Sequence, residues 1–164
     1  MAKALLTLVT LTAGLLTLAS AGAWAADCSM AGSAEEALVF ARPTGGSVIK
    51  EFGDQYDEIS KTKQFHGGVD LDGPAGEPVY AARSGKVVEA GNKGDLGLYV
   101  RIAHGGGVET GYGHLGALSV SAGECITGGR QIGKIGATGR TQGPRLHFEV
   151  LRDGKPINPL DLLQ

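Results

Sequence analysis

Two short stretches of this chain carry side chains that do chemistry: His66-Gly-Gly-Val-Asp70 and, far downstream, Arg145-Leu-His-Phe-Glu149. If the first enters a strand, period-two alternation sends His66, Gly68 and Asp70 to one face and turns Val69 and Leu71 toward a core. The same alternation groups Arg145, His147 and Glu149, with Leu146 and Phe148 behind them. Two imidazoles and one carboxylate, here His66, His147 and Asp70, form a three-ligand set for zinc that leaves a fourth position for water or substrate. An isolated H-x-x-x-D also occurs by chance, and a strand histidine is commonly hydrogen-bonded structure. The combination favours the metal. Of only four histidines, one stands beside a same-face aspartate and another beside a same-face arginine.

The elements that must position these residues are short. Runs at Val79-Tyr80, Lys86 to Ala90, Leu98 to Ala103, Gly107 to Tyr112 and Leu146 to Leu151 are β-prone and separated by glycines, of which the chain has 28. Within Leu98 to Ala103, Val100 and Ile102 take one face and Arg101 the other, as a half-buried strand requires. The pattern predicts a mainly β, antiparallel protein with a single core, folded as a sandwich or flattened barrel. One short helix is expected to begin at Ser33, where Glu36 completes a capping box, and to end at Arg42-Pro43. His104 precedes Gly105-Gly-Gly107 and belongs to a hairpin turn away from the metal set. Tyr112 shares strand parity with His114, which offers its hydroxyl either to the groove or to a buried hydrogen bond. The polar stretch between Phe52 and Phe65 reads as one wall of a groove. Gly133 to Gly139 lacks the lysine spacing of a phosphate loop and reads as a turn beside the site.

The first residues form no part of that core. Lys3 followed by an uncharged run to Ala26, with an apolar block from Leu5 to Leu18 and Ala23-Trp24-Ala25, has the layout of a secretory signal peptide cleaved after Ala25. An uncleaved membrane anchor is the competing reading of that run. The organisation expected is a leader over residues 1–25, an N-terminal extension over 26–37 and one domain over 38–164, exported and most simply periplasmic. After cleavage nothing holds the chain in a membrane. The whole chain carries a net charge of −2, and loss of Lys3 makes the mature protein one unit more acidic. With no basic block, nucleic acid is excluded as a partner. Cys28 and Cys125 both lie in the exported part, where disulfides persist, so a bridge between them is the economical reading; the competing one makes one of them a zinc ligand or nucleophile.

These residues resemble a known family. Phe40-Ala-Arg-Pro43, Glu51-Phe-Gly53, His66-Gly-Gly-Val-Asp-Leu71, Gly76 to Ala82, Gly85 to Gly91, Tyr112-Gly-His-Leu115, Gly133 to Gly139, Gly143 to Glu149 and Asn158-Pro-Leu160 follow one another as in the lysostaphin-type zinc endopeptidases, the M23 or LytM-like family. The resemblance implies an antiparallel β fold of the duplicated hybrid motif type with a groove across a sheet. It also implies Zn2+ held by His66, Asp70 and His147, and peptidoglycan peptides as substrate. The family's two further essential positions, both normally histidine, flank the attacking water and the developing tetrahedral intermediate; they fall on His114 and on position 145.

Position 145 is Arg145, so the usual H-x-H is R-x-H. Arginine stays protonated and cannot act as a general base. It can stabilise an oxyanion, with His114 as base or proton shuttle, or it can simply pair with a carboxylate. Two functional readings follow: an exported zinc metalloendopeptidase of peptidoglycan, and a catalytically impaired module that binds cell-wall peptide or regulates another hydrolase. A phosphocarrier with paired histidines is disfavoured by the leader, which removes the chain from cytoplasmic phosphoryl donors. With no cell-wall targeting repeat or coiled coil recognisable, recognition falls to the groove.

Overall fold

The computed structural model describes residue 28 and residues 38–164. The leader and most of the expected helix lie outside these residues. The last part of the predicted helix, 38–42, is extended instead: Phe40 bridges Leu163, its N–H donating to the Leu162 carbonyl. That contact places Phe40, fully buried, in the core, and a helical turn there would withdraw it.

Twelve strands follow: β1 (Val48–Lys50), β2 (Gly53–Asp57), β3 (Thr62–His66), β4 (Val69–Asp72), β5 (Pro78–Tyr80), β6 (Gly85–Asn92), β7 (Leu98–Ala103), β8 (Val108–Leu118), β9 (Cys125–Ile126), β10 (Gln131–Ile135), β11 (Arg145–Arg152) and β12 (Lys155–Ile157). The only helical turns among the described residues are 3-10 turns at Gly94–Leu96 and Pro159–Asp161. Ten strands form one antiparallel sheet in the order β1-β4-β11-β8-β7-β6-β9, with β10 joining β5 to β8 and β12 flanking β11. The order remains open between β1 and β9, so no barrel closes. The other two strands, β2 and β3, pair only with each other and make a separate hairpin out of the polar stretch expected to wall a groove.

Alternation builds the core. Val69 and Leu71 of β4, Val100 and Ile102 of β7, and Leu146, Phe148 and Val150 of β11 are all fully buried in one apolar cluster with Ile132 and Ile135. Each such side chain contributes about 1.5–3 kcal/mol by leaving water. The turn from β7 to β8 uses Gly105, Gly106 and Gly107 at φ of 85°, 57° and 74°, a left-handed run that side chains with a Cβ resist. His104 at its mouth is buried, Nδ1–H donating to the Ser84 carbonyl at 2.9 Å and Nε2 paired with the Thr110 hydroxyl at 2.8 Å. It stands apart from the other three histidines, as expected from the turn.

Cys28 and Cys125 are joined in a disulfide, Cα to Cα 5.3 Å, closing a separation of 97 residues. In the chain-entropy model a loop of that size is worth about 4 to 5 kcal/mol. It fastens the segment ahead of the core to β9, the strand at the edge of the sheet opposite β1.

Candidate metal centre

Cross-strand register assembles the site. In the β4–β11 pair, Asp70 lies directly opposite His147, and Arg145 opposite Asp72, so Asp70, Arg145 and His147 share one face. His66 arrives differently from the single strand read from the sequence. It ends β3 in the separate hairpin, and the chain crosses to the main sheet through Gly67-Gly68 before β4 begins. A Cβ on Gly68 would run into the Phe148 carbonyl and press on His147 Cε1 and Nε2 at 3.0 Å, so the crossing needs a glycine to pass over β11 and its imidazole.

Three donor atoms converge. His147 Nδ1 is 2.8 Å from Asp70 Oδ1, His66 Nε2 is 3.1 Å from the same oxygen, and the two nitrogens are 3.0 Å apart. The opposite ring nitrogens are committed: His66 Nδ1–H donates to the Glu51 carbonyl at 2.7 Å and His147 Nε2–H to Glu149 Oε1 at 3.2 Å. With these outer nitrogens held by their partners, the inner nitrogens of both rings face one carboxylate oxygen, and three electron-rich atoms crowd together. Such a cluster needs a cation. Tetrahedral ligands at about 2.0–2.1 Å from zinc stand about 3.3–3.4 Å from one another, close to the spacing observed, and two imidazoles with a carboxylate match its preference. The residues fit the metal, and His66, Asp70 and His147 are the group that could hold it.

The electrostatics agree. Burial opposes charge on Asp70, yet hydrogen bonds from His147 and His66 outweigh it and hold the carboxyl far below its usual range. Burial also opposes charge on His147, but the Asp70 and Glu149 hydrogen bonds raise its pKa to about 9. The pocket draws positive charge, and a proton and a metal ion compete for the same lone pair.

His114 reaches the site through a defect in β8. Gly113 faces His147 and Tyr112 faces Phe148, so regular alternation would bury His114 in the core. Instead His114 adopts φ 59°, where the β7–β8 register shifts between Leu98 and Val100, and its ring comes 5.9 Å from that of His147. A bulge of this kind re-aims a side chain. It also corrects the parity reading of Tyr112, whose hydroxyl is fully buried between Ala82 N–H and Thr110, its pKa pushed up to about 12 by burial. His114 Nδ1–H donates to the Thr138 carbonyl at 2.9 Å, leaving Nε2 as the basic nitrogen. Burial, and then the neighbouring His147, lower its pKa. Thr138 lies in the segment Gly133 to Gly139, where β10 runs into the turn expected beside the site.

Arg145 is tied to the ligand set and not to His114. Its Nη1 donates to Asp70 Oδ2 at 3.3 Å and its Nε to the Gly143 carbonyl at 3.4 Å. The sequence had not signalled Glu149 and Tyr99 as a unit, nor the carbonyls of Glu51 and Thr138; only Glu149 was placed on the right face. The site floors a groove of about 580 Å³ whose wall is the β2–β3 hairpin, including Tyr56, half exposed there. Leu96 and Arg140 also line it. Arg140 reaches across to Asp57 at 2.6 Å.

Residues 64–159, which include His66, Asp70, His114, Arg145 and His147, match the model of peptidase family M23. The chain belongs to peptidase family M23. This M23 domain is 40% identical over 127 residues to the DD-carboxypeptidase/endopeptidase Mpg of Neisseria meningitidis, covering 77% of this chain and 28% of that protein. The chain thus spans little more than a quarter of that relative. Among solved structures it is similar to a zinc-containing peptidase from Vibrio cholerae, at 31% identity and a TM-score of 0.66 over 74% of this chain and 38% of that one. It is similar as well to the catalytic domain of lysostaphin from Staphylococcus simulans, at 29% identity and a TM-score of 0.65, covering 71% and 90% of the two chains.

Proposed function

We propose that this M23 protein is an exported zinc metalloendopeptidase that hydrolyses peptide bonds in peptidoglycan stems or cross-bridges. Residues 1–25 serve as its leader, 26–37 as an extension and 38–164 as the peptidase domain. The observation that carries the reading is the convergence of His66 Nε2, Asp70 Oδ1 and His147 Nδ1 within 3.1 Å on the floor of a groove that also holds His114. The DD-carboxypeptidase/endopeptidase activity of Mpg supports the reaction class, and the zinc-containing peptidase from Vibrio cholerae supports the metal.

Zinc bound by His66, Asp70 and His147 would polarise the scissile carbonyl and make water acidic enough to attack at neutral pH. His114, kept neutral by burial and with Nε2 free of the Thr138 bond, takes the proton from the attacking water and returns it to the leaving amine as the C–N bond breaks. Arg145 keeps its charge throughout. Anchored on Asp70 Oδ2, it holds that carboxylate in one orientation and presents a fixed cation to the developing oxyanion.

The test is release of muropeptides from purified peptidoglycan by zinc-loaded protein, beside His114→Ala and Arg145→His. Turnover by the wild type that His114→Ala loses is expected. A silent wild type with an active Arg145→His variant would overturn the enzyme reading and leave the binding or regulatory module. Elemental analysis checks the metal separately: one zinc per chain is expected, lost in His66→Ala.

A further inference from the structure

Behind His147 the sheet holds a second pair of polar side chains, and we infer that Glu149 and Tyr99 are positioning residues that fix the orientation and tautomer of His147 for metal binding. The inference rests on the zinc reading above and extends it one layer outward. Glu149 divides its two oxygens: Oε1 accepts from His147 Nε2–H at 3.2 Å and Oε2 accepts the Tyr99 hydroxyl at 2.9 Å. Tyr99 is 1% exposed, and a buried phenol needs such a partner. A carboxylate largely removed from water keeps its charge only when its oxygens are bonded. The phenol supplies the second bond and stops the carboxylate from rotating away from the imidazole.

The backbone is cut to fit this chain of contacts. Gly111 lies opposite Glu149 in the β8–β11 register. A Cβ there would run into the Tyr99 hydroxyl and come within 2.6 Å of Glu149 Oε2. Glycine weakens a strand interior; here it opens the space in which phenol and carboxylate meet. Gly68 does the same over the imidazole itself.

The consequence lies at Nδ1. With its Nε2–H held by Glu149, His147 presents an Nδ1 lone pair toward Asp70 and His66. An amide at position 149 can turn its NH2 toward Nε2, which favours the tautomer with a proton on Nδ1, where the metal would sit. Outer-shell partners of histidine ligands typically change metal affinity 10- to 100-fold.

Zinc affinity, by competition against a chromophoric chelator, and the d–d absorption of the Co(II)-substituted protein are measured for wild type, Tyr99→Phe and Glu149→Gln. The melting of each metal-free protein is recorded alongside. We expect Kd for zinc to weaken about tenfold in Tyr99→Phe and between about 10- and 100-fold in Glu149→Gln, with shifted d–d bands. Metal-free Tyr99→Phe should melt somewhat below metal-free wild type, because Glu149 Oε2 loses its partner, so the shifted d–d bands are the readout that separates positioning from stability. Wild-type affinity and spectrum in both variants would overturn the inference alone, as would weaker binding that only tracks a loss of metal-free stability with an unchanged spectrum. A wild type that binds no zinc would overturn the zinc reading and this inference with it. If Glu149→Gln does not fold, Tyr99→Phe decides.

Discussion

His114 enters the groove on a left-handed backbone, φ 59°, which asparagine tolerates better than most residues. His114→Asn therefore removes the base without adding strain to the bulge. Its muropeptide-releasing activity should fall by about 10²- to 10⁴-fold while zinc stays stoichiometric; equal losses of metal and activity would show that His114 acts on the ligands instead. A second residue, outside the candidate metal centre, sets a pH response of its own. Burial lowers the pKa of His104 from 6.5 to about 4, so the unfolded chain binds the extra proton between those values and the folded one does not. Stability rises with pH across that window, and up to about 3 kcal/mol of it is lost on acidification from 6.5 toward 4. Chemical denaturation at a series of pH values should show this slope in wild type and a flatter one in His104→Gln, whatever the variant's absolute stability.

At the scale of elements, the β2–β3 hairpin shares no strand pairing with the main sheet, yet it supplies His66 and a wall of the groove. Phe65 at its end packs edge-on against Phe52, ring centroids 5.1 Å apart. Across the groove the Asp57–Arg140 ion pair fastens the hairpin to the loop that precedes β11. Hydrogen bonds from Ser60, and then the charge of Arg140, lower the Asp57 carboxyl to about 2, so the pair survives mild acid. Both partners keep some exposure, so solvent screens the bridge and it adds little to global stability. Arg140→Ala should leave the melting temperature nearly unchanged but speed amide exchange in residues 53–66, measured by mass spectrometry; unchanged exchange would show that the hairpin is held by its apolar contacts alone.

At the scale of the whole molecule, the disulfide and the Asp70–His147 part of the site occupy different parts of the main sheet. Cys125 lies on the terminal strand β9, separated in strand order from β4 and β11 by β8, β7 and β6. Cys125→Ser should therefore lower the unfolding free energy by about 2–5 kcal/mol while zinc stoichiometry, by elemental analysis, remains that of the wild type. Loss of metal in that variant would show that the segment tethered by Cys28 supports the centre.

Local alternation is a property of the chain itself, and it is enough to put Arg145, His147 and Glu149 on one face, to bury Leu146 and Phe148 behind them, and to mark the Gly105 to Gly107 turn that keeps His104 away. Residue types at those positions also name the chemistry, because two imidazoles and a carboxylate are one of the three-ligand sets that zinc takes with a fourth position open. Only tertiary structure brings Asp70 opposite His147, sets His66 on a different sheet from Asp70, and reverses His114 through a bulge so that Tyr112 goes to the core and His114 to the groove. It likewise joins Tyr99 to Glu149 and Arg145 to Asp70. Register and bulges depend on which strands pair, and that is settled by burial summed over the whole sheet, which no window of the sequence contains.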